Sequence, residues 1–390
     1  MAQRSSAVER ESGQPDNVLV LFHVKHYPPP MPASLPIVGA VRGRGARSNH
    51  SGRFNADQRE DFDDGWTAED AAPPRLDDIV APVRSRTIIS RNDSPDIGFD
   101  RSINPYMGCS HGCIYCYARP THAYLGLSPG LDFETRLFFK PDAARLLERE
   151  LRKKGYAPER IQLGANTDPY QPLERRLRIT REILKVLARF KHPVGITTKS
   201  ALVTRDIDIL GPMAAENLAM VSVSVTTLDR RLARAMEPRA STPERRLEAI
   251  GQLAAAGIPT MIGVAPIIPG LTDHEIETLI ERGADAGAIQ AHFTVLRLPL
   301  EIKDLFREWL AAERPDRAAR VMSLVRQMRG GKDYDAEWGK RMRGEGPIAD
   351  LIAQRFKVAC RKHGLNQARP KVDLGLFMPP PEAGDQMELF

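Results

Sequence analysis

Three cysteines stand close together in the run NPYMGCSHGCIYCYARP, where Cys109, Cys113 and Cys116 follow the spacing C-x3-C-x2-C. Thiolates at this density are typical of a metal site. Structural zinc takes four ligands, however, and iron–sulfur clusters are normally held by four thiolates. The remaining cysteine, Cys360, is far away in sequence. Three neighbouring thiolates therefore indicate an iron–sulfur cluster in which one iron is left open for another ligand.

Composition sets the broad class of the protein. With 390 residues, 42% of them hydrophobic, the chain has length for about two ordinary domains or one large α/β barrel. Four cysteines, three of them in one short run, do not make a disulfide framework, and thiolates that hold iron favour a reducing compartment, so we expect a cytoplasmic protein. No apolar run approaches the roughly 20 residues that span a bilayer, so we expect no membrane partner. The net charge of +6 fits either a phosphate-bearing partner or an ordinary solvated surface.

Short β-branched runs, each followed by a charged helical stretch, predict a repeated βα unit. These runs are IQLGA (161–165), VGITT (194–198), AMVSVSVTT (219–227), TMIGVAPII (260–268) and QAHFTVLRL (290–298). A further strand near Arg101 to Pro105 leads into the cysteine loop, which we place at 107–121. About six such units predict an α/β fold whose parallel strands, joined by right-handed crossovers, close partly into a barrel.

The barrel is expected over residues 86–300, between segments of different composition. Residues 1–85 contain YPPPMP, RGRGARSNHSGR and an acidic run with few periodic apolar positions, which predicts a mobile N-terminal arm or one draped over the domain, with little chemistry. The GxG of VRGRGARS is too weak to indicate a phosphate site, because no strand precedes it. Residues 301–365 predict an appended C-terminal helical cap, and 366–390 a proline-broken tail.

Two predicted strands end in polar residues where a barrel keeps its chemistry, at the C-terminal ends of its strands. The second strand ends in Asn166, Thr167 and Asp168, which fit either a contact to a cation or a turn with a helix N-cap. The third ends in Lys199 directly after an apolar run. A lysine in that position must find an anion or extend into solvent.

The remaining candidate residues each allow two interpretations. Ser222 and Ser224 lie two residues apart on one strand and therefore share a face, which is either the barrel interior or solvent. Arg239 is a candidate to bind a carboxylate or phosphate, or to form a structural ion pair. His111 and His122 flank the cysteine loop, and we expect them to hydrogen-bond within it because the three cysteines need no imidazole ligand.

The cysteine spacing, with Tyr117 directly after the last cysteine, resembles the radical S-adenosylmethionine (SAM) superfamily. The segments NTDPYQPLE, TTKS, MEPRA and APIIPGLTD resemble its spore photoproduct lyase-like branch, whose members are often labelled DNA repair photolyases. The resemblance covers about residues 102–299. It implies a partial (β/α)6 TIM-type barrel of the radical SAM kind, with a 4Fe-4S cluster on the three cysteines.

The resemblance also implies where SAM binds. Its amino and carboxylate groups would occupy the open iron, with the ammonium group near the end of the second strand, the carboxylate beside the lysine and the ribose hydroxyls beside the serines. The cofactor-binding residues implied in this way are Tyr117, Asn166, Thr167, Asp168, Lys199, Ser222, Ser224 and Arg239.

The implied activity is radical chemistry. An external electron donor such as flavodoxin or ferredoxin would reduce the cluster, and SAM would then be cleaved to methionine and a 5′-deoxyadenosyl radical that takes a hydrogen atom from the substrate. Nucleic acid is the first candidate substrate, supported by the family and the positive charge balance, and a peptide or small molecule is the alternative.

One departure from the family separates this chain from spore photoproduct lyase itself. In that enzyme a cysteine at the end of the second strand donates hydrogen to the product radical, whereas the corresponding stretch here reads GANT, without a thiol. We therefore do not expect the same lesion chemistry. Cys360 lies in a predicted amphipathic helix and is expected to be a small buried hydrophobe.

The sequence also allows a function from another class. In this alternative the protein is a non-catalytic iron–sulfur carrier or a zinc-binding module. A carrier would normally close all four iron sites, and a zinc module would need a fourth ligand such as His111 or His122.

Overall fold

The computed structural model describes residues 41–55, 76–368 and 370–381. The strands in these ranges are β1 Ile79–Pro82, β2 Ile89–Arg91, β3 Arg101–Ile103, β4 Tyr106–Met107, β5 Arg136–Phe139, β6 Ile161–Leu163, β7 Val194–Thr198, β8 Ala219–Ser224, β9 Thr260–Ile267 and β10 Gln290–Val295. The helices are α1 Leu131–Thr135, α2 Ala143–Leu151, α3 Glu174–Leu177, α4 Ile179–Arg189, α5 Ile207–Ala215, α6 Arg230–Met236, α7 Pro243–Ala255, α8 Ile276–Asp285, α9 Ile302–Glu313, α10 Pro315–Gln327 and α11 Gly346–Lys362. None of these helices combines the length and apolarity needed to cross a membrane.

The main sheet has the order β10-β9-β8-β7-β6-β3-β2. Within this sheet, each strand from β10 to β3 is parallel to its neighbour. At the edge, β2 is antiparallel to β3. Helices α4, α5, α7 and α8 connect successive parallel strands, as parallel pairing requires. The expected partial barrel of six βα units is confirmed, and the strands that were predicted from the sequence are present.

Side chains alternate across the barrel wall. Val221 and Val223 of β8 belong to the hydrophobic core between the sheet and the helices, together with Leu253 of α7. Ser222 and Ser224 alternate with these valines and therefore face the barrel interior. Of the two faces considered for the serines, the interior one is correct.

A smaller sheet lies beside the barrel, in the order β1-β5-β4. Its first strand comes from the segment expected to be an arm, and β1 pairs in parallel with β5. Residues 41–55 likewise pack on the domain, with Val41 and Ala46 buried. Both parts pack against the domain, while residues 1–40 and 56–75 lie outside the described residues, and the N-terminal arm over 1–85 stays a prediction.

The C-terminal helices divide into two groups. Helices α9 and α10 pack on a second hydrophobic cluster that includes Phe306, Trp309 and residues of the cysteine loop such as Ile114. Helix α11 instead lies against the barrel, with the ring of Phe356 4.6 Å from that of Phe293 on β10. The backbone N–H of Val295 donates to Met342 O (3.0 Å), so the segment before α11 covers part of the free edge of β10.

Candidate functional site

The three clustered cysteines lie on one loop that follows β4 at the C-terminal end of the barrel. All three are free thiols, with Cys109 and Cys113 buried and Cys116 partly buried. Burial raises the pKa of the Cys113 thiol well above its ordinary value, and it raises the pKa of Cys116 to about 11. Thiols in such surroundings lose their protons when a metal binds, because the metal's charge replaces the proton.

A buried ion pair holds the loop in shape. Arg119 donates to the carbonyl oxygens of Gly112 (3.2 Å) and Cys113 (2.9 Å), and its Nη2 lies 2.5 Å from Glu134 Oε1. The side chains of Arg119 and Glu134 are both 0% exposed. Gly112 has a φ of +71°, and a Cβ there would lie 2.7 Å from Glu134 Oε2, so this position requires glycine.

The same carboxylate anchors the segment that covers the loop. The backbone N–H groups of Gly45 and Ala46 donate to Glu134 Oε2 (2.9 Å) and Oε1 (2.8 Å). A Cβ on Gly45 would lie 1.9 Å from Gly112 O, so only glycine permits this approach. The second glycine of the GxG run therefore has a structural role, since its amide and that of the following Ala46 bind a buried carboxylate next to the cysteines.

Asp168, at the C-terminal side of β6, connects the strand ends to the cysteine loop. Its carboxylate accepts hydrogen bonds from Thr198 Oγ1 (2.7 Å), Lys199 N (2.8 Å) and Tyr170 N (2.9 Å), and Oδ2 lies 3.3 Å from His111 Nδ1. Burial works to raise the pKa of Asp168, but the neighbouring His111 and the hydrogen bonds outweigh it and lower this pKa to about 2. The carboxylate is thus ionised and occupied by protein donors, an arrangement that suits positioning more than direct contact with a ligand.

Lys199 extends from the end of β7 toward the cysteine loop. Its Nζ lies 3.4 Å from Ala265 O at the end of β9 and 5.7 Å from the ring centre of Tyr115. Burial lowers the pKa of Lys199 from its ordinary value. An ammonium group in this position is stabilised by an anion beside it, because few protein groups compensate for its lost hydration.

Three further predicted residues line the mouth of the barrel near the loop. Tyr117 is 45% exposed, and it donates from its hydroxyl to Ala165 O while the Arg297 guanidinium lies 5.2 Å from its ring centre. Thr167 donates from its hydroxyl to Tyr106 O (3.0 Å), and Asn166 donates from its backbone to Asn104 Oδ1 (3.0 Å). Thr167 is therefore engaged in holding the loop after β6.

The interior face of β8 supplies hydroxyls without a complete set of partners. Ser222 is 1% exposed, and its Oγ has no hydrogen-bond partner among the described residues. On β9, Gly263 pairs with Ser224, and a Cβ on this glycine would lie 3.0 Å from the His292 ring and 3.3 Å from Ser224 Oγ. A buried hydroxyl without a partner on one strand and a glycine on the next are features of a wall that a polar ligand approaches.

Arg239 does not point into this space. Its Nη1 binds both carboxylate oxygens of Asp78, at 2.8 and 3.0 Å, and Arg44 binds the same carboxylate at 2.7 Å. Of the two roles considered for Arg239, the structural ion pair is the one that the geometry shows. His122 is also structural, with Nε2 2.9 Å from Arg136 O.

Sequence reasoning missed a buried network beneath the loop. Tyr115 donates from its hydroxyl to Glu237, which also accepts from Thr226 Oγ1 (2.7 Å) and pairs with Arg246. The side chains of Glu237 and Arg246 are 0% and 1% exposed. In the sequence, only the run MEPRA indicated this network. Tyr115 and Glu237 are 122 positions apart, and residues so distant form no local pattern. The network orients Tyr115, whose ring faces Lys199.

The donor set fits an iron–sulfur cluster better than a single metal ion. Among the described ranges, no three His, Cys, Asp or Glu side chains converge closely enough to hold one ion. A cluster does not need this, since its thiolates bind different irons. Of the two candidate fourth ligands of a zinc site, His122 is hydrogen-bonded to Arg136 O, and His111 lies between Asp168 and the side chain of Cys109. Cys360 is buried in the outer core on α11, as expected.

Comparisons with known proteins agree with this geometry. The radical SAM superfamily model matches residues 103–283, from β3 into α8. An uncharacterized protein of Mycobacterium tuberculosis is 38% identical over 231 residues, which are 59% of this chain and 68% of that protein. An uncharacterized protein of Methanocaldococcus jannaschii is 30% identical over 173 residues, 44% of this chain and 62% of that protein.

The fold is similar to solved structures of the same superfamily. Spore photoproduct lyase complexed with dinucleoside spore photoproduct superposes with a TM-score of 0.54 at 17% sequence identity, covering 75% of this chain and 81% of that one. A likeness at this identity concerns the fold alone. Together with the family match and the relatives, it shows that this chain belongs to the radical SAM superfamily and has a partial barrel like that of spore photoproduct lyase.

Proposed function

We propose that this protein is a radical SAM enzyme that holds a 4Fe-4S cluster on Cys109, Cys113 and Cys116 and cleaves SAM reductively, with nucleic acid as the first candidate substrate. The observation that carries the proposal is the meeting of the three thiols with Lys199 at the C-terminal ends of the parallel strands. When bound, the cluster supplies the electron that converts SAM to methionine and a 5′-deoxyadenosyl radical.

The protein's own groups position SAM and exclude water. The Lys199 ammonium would bind the SAM carboxylate, and Asp168 holds the backbone from which this side chain extends by accepting the Lys199 N–H. Ser222 and Ser224, on the interior face of β8, would contact the ribose hydroxyls. The half-exposed ring of Tyr117 would cover the side of the site toward solvent. Asp168 and His111 act through their neighbours and link strand β6 to the loop.

The proposal is tested by spectra of anaerobically purified protein, recorded with and without SAM. A cluster signal that changes on addition of SAM, with 5′-deoxyadenosine formed under reducing conditions, supports a radical SAM enzyme. A cluster signal that stays the same when SAM is added would indicate an iron–sulfur carrier instead. A colourless protein that contains zinc would reject the cluster altogether.

Replacing Lys199 with alanine is expected to weaken SAM binding by roughly ten- to a hundredfold. Loss of a hydrogen bond to a charged group costs about 1.5–3 kcal/mol, which corresponds to that factor. The cluster should survive, because the backbone contact of residue 199 to Asp168 remains. Calorimetric titration of SAM into reconstituted protein measures the change. Lys185→Ala serves as the control, since Lys185 forms an exposed ion pair with Glu182 on α4. Equal affinity for SAM in Lys199→Ala and in the control would assign Lys199 a structural role.

If nucleic acid is the substrate, it should accelerate 5′-deoxyadenosine formation, and deuterium from a labelled nucleotide should appear in that product. The barrel interior here offers no thiol as hydrogen donor at the end of β6, so the reaction should differ from lesion repair by a cysteine-dependent route. Single-stranded, duplex, damaged and RNA oligonucleotides are compared under reducing conditions. Neither acceleration nor transfer with any of them would leave the cluster assignment intact and favour a peptide or small-molecule substrate.

A further inference from the structure

Arg297 follows β10 at the mouth of the barrel, and its side chain forms no ion pair with any described residue. The guanidinium has two weak partners. Its Nη1 donates to the sulfur of Met342 (3.2 Å), and the group lies 5.2 Å from the ring centre of Tyr117. The Nε is buried and has no acceptor in the part of the chain that the structure describes. A buried donor without an acceptor indicates that a ligand completes this site.

The site lies between the cysteine loop and the barrel interior. Tyr117, whose ring Arg297 faces, follows Cys116 directly in the chain. On β10 itself, His292 and Thr294 alternate with residues of the outer hydrophobic core and therefore point inward, and both are partly exposed. Open space thus continues from Arg297 along the inner face of the strand, so a ligand held by Arg297 can extend into the barrel.

The anion that Arg297 needs is a different one from the carboxylate of SAM. SAM carries one carboxylate and no phosphate, and the proposed function assigns that carboxylate to Lys199. Lys199 follows β7, which is separated from β10 by two strands. Three strand spacings of about 4.8 Å place the two strands about 14 Å apart along the sheet. Arg297 is therefore left for an anion that the substrate brings.

The chain beside Arg297 favours a phosphate backbone over a single carboxylate. In the segment 338–343, between α10 and α11, Trp338 is 47% exposed, and Arg343 is exposed without an ion pair to any described residue. The two glutamates near this segment already pair with Lys340. Surfaces that bind single-stranded nucleic acid combine cations for the phosphates with exposed aromatic rings on which bases stack.

We propose that Arg297 binds a phosphate of a nucleic-acid substrate beside the nucleotide that reacts, and that Arg343 and Trp338 bind the strand beyond it. The inference rests on the proposed function and deepens its choice of substrate. A guanidinium can hold two oxygens of one phosphate through parallel hydrogen bonds. No bond is made or broken at this site. Arg297 is a positioning residue, because a phosphate contact fixes which nucleotide lies next to the cysteine loop.

The test measures binding of two short oligothymidylates to the reconstituted, full-length protein with SAM, by fluorescence anisotropy. One strand has ordinary phosphodiester linkages, and the other has uncharged methylphosphonate linkages. In Arg297→Gln, affinity for the phosphodiester strand should fall about tenfold, and the slope of log affinity against log salt should fall by about 0.7, as expected for one lost phosphate contact. Affinity for the methylphosphonate strand should not change.

Two further variants separate charge from geometry and from folding. Arg297→Lys keeps the charge but not the parallel hydrogen bonds, so it should retain the salt slope without full affinity. Arg343→Gln, at an exposed position, should lower the same slope. The matched control is Arg361→Gln, since Arg361 is also exposed, in the last turn of α11, and has no ion pair among the described residues.

Three outcomes would overturn the phosphate site. The first is equal affinity of Arg297→Gln and Arg361→Gln for the phosphodiester strand. The second is weaker SAM binding by Arg297→Gln in calorimetry, which would assign this arginine to the cofactor. The third is wild-type protein that binds neither strand while an acidic peptide accelerates 5′-deoxyadenosine formation, which would assign it to a carboxylate. In each case a SAM-dependent cluster signal leaves the radical SAM activity standing, and only the absence of that signal in the wild type rejects it.

Discussion

Alanine in place of Cys109, Cys113 or Cys116 is expected to abolish the iron–sulfur cluster entirely. Each thiolate holds a different iron, so the two that remain cannot substitute for the missing one. The loop offers no fourth thiol as a replacement, since Cys360 lies on α11 in the outer core. Iron and sulfide content after anaerobic reconstitution, together with the visible absorption spectrum, measures the loss.

Cys360→Ala is the matched control for these variants. This thiol is buried in the outer core on α11, and burial raises its pKa to about 11. Its removal should leave iron and sulfide at wild-type levels and cost only the small packing energy of one sulfur atom. Loss of iron in Cys360→Ala, or retention of a full cluster in any of the other variants, would mean that the ligand set is wrong.

Glu134→Gln is expected to destabilise the metal-free protein by about 3–5 kcal/mol, because it leaves the buried guanidinium of Arg119 without its counter-charge. Both carboxylate oxygens accept hydrogen bonds, Oε1 from Arg119 and Ala46 and Oε2 from Gly45. A glutamine amide in either orientation therefore places its NH2 group against another donor. Urea denaturation of the metal-free variant and wild type measures the difference.

The control for this substitution is Glu182→Gln, which breaks an exposed ion pair with Lys185. The side chains of Glu182 and Lys185 are 51% and 52% exposed. Such a pair is worth less than about 1 kcal/mol. Glu134→Gln should also retain less iron after reconstitution, because Arg119 positions the carbonyls of Gly112 and Cys113. Equal stability of the two variants would show that the segment over the cysteine loop is not held by this pair.

The sequence by itself determined the features that depend on near neighbours in the chain. The spacing of three cysteines places three thiols on one loop whatever the rest of the fold does. The alternation of Ser222 and Ser224 with valines follows from the two-residue period of a strand. The repeat of β-branched runs and charged helices likewise predicts a parallel barrel, because parallel strands need a helical crossover.

Only the tertiary structure decided which partner each charged residue takes. Arg239 binds Asp78, Asp168 binds the Lys199 backbone, and Glu134 binds the amides of a segment 88 to 89 positions earlier in the chain. The role of the Gly45 and Ala46 amides was not apparent from the sequence, because the carboxylate that they bind comes close to them only in the folded protein. A charge is stabilised by whichever group lies within a few ångströms, and that distance is set by packing between distant segments rather than by the order of residues.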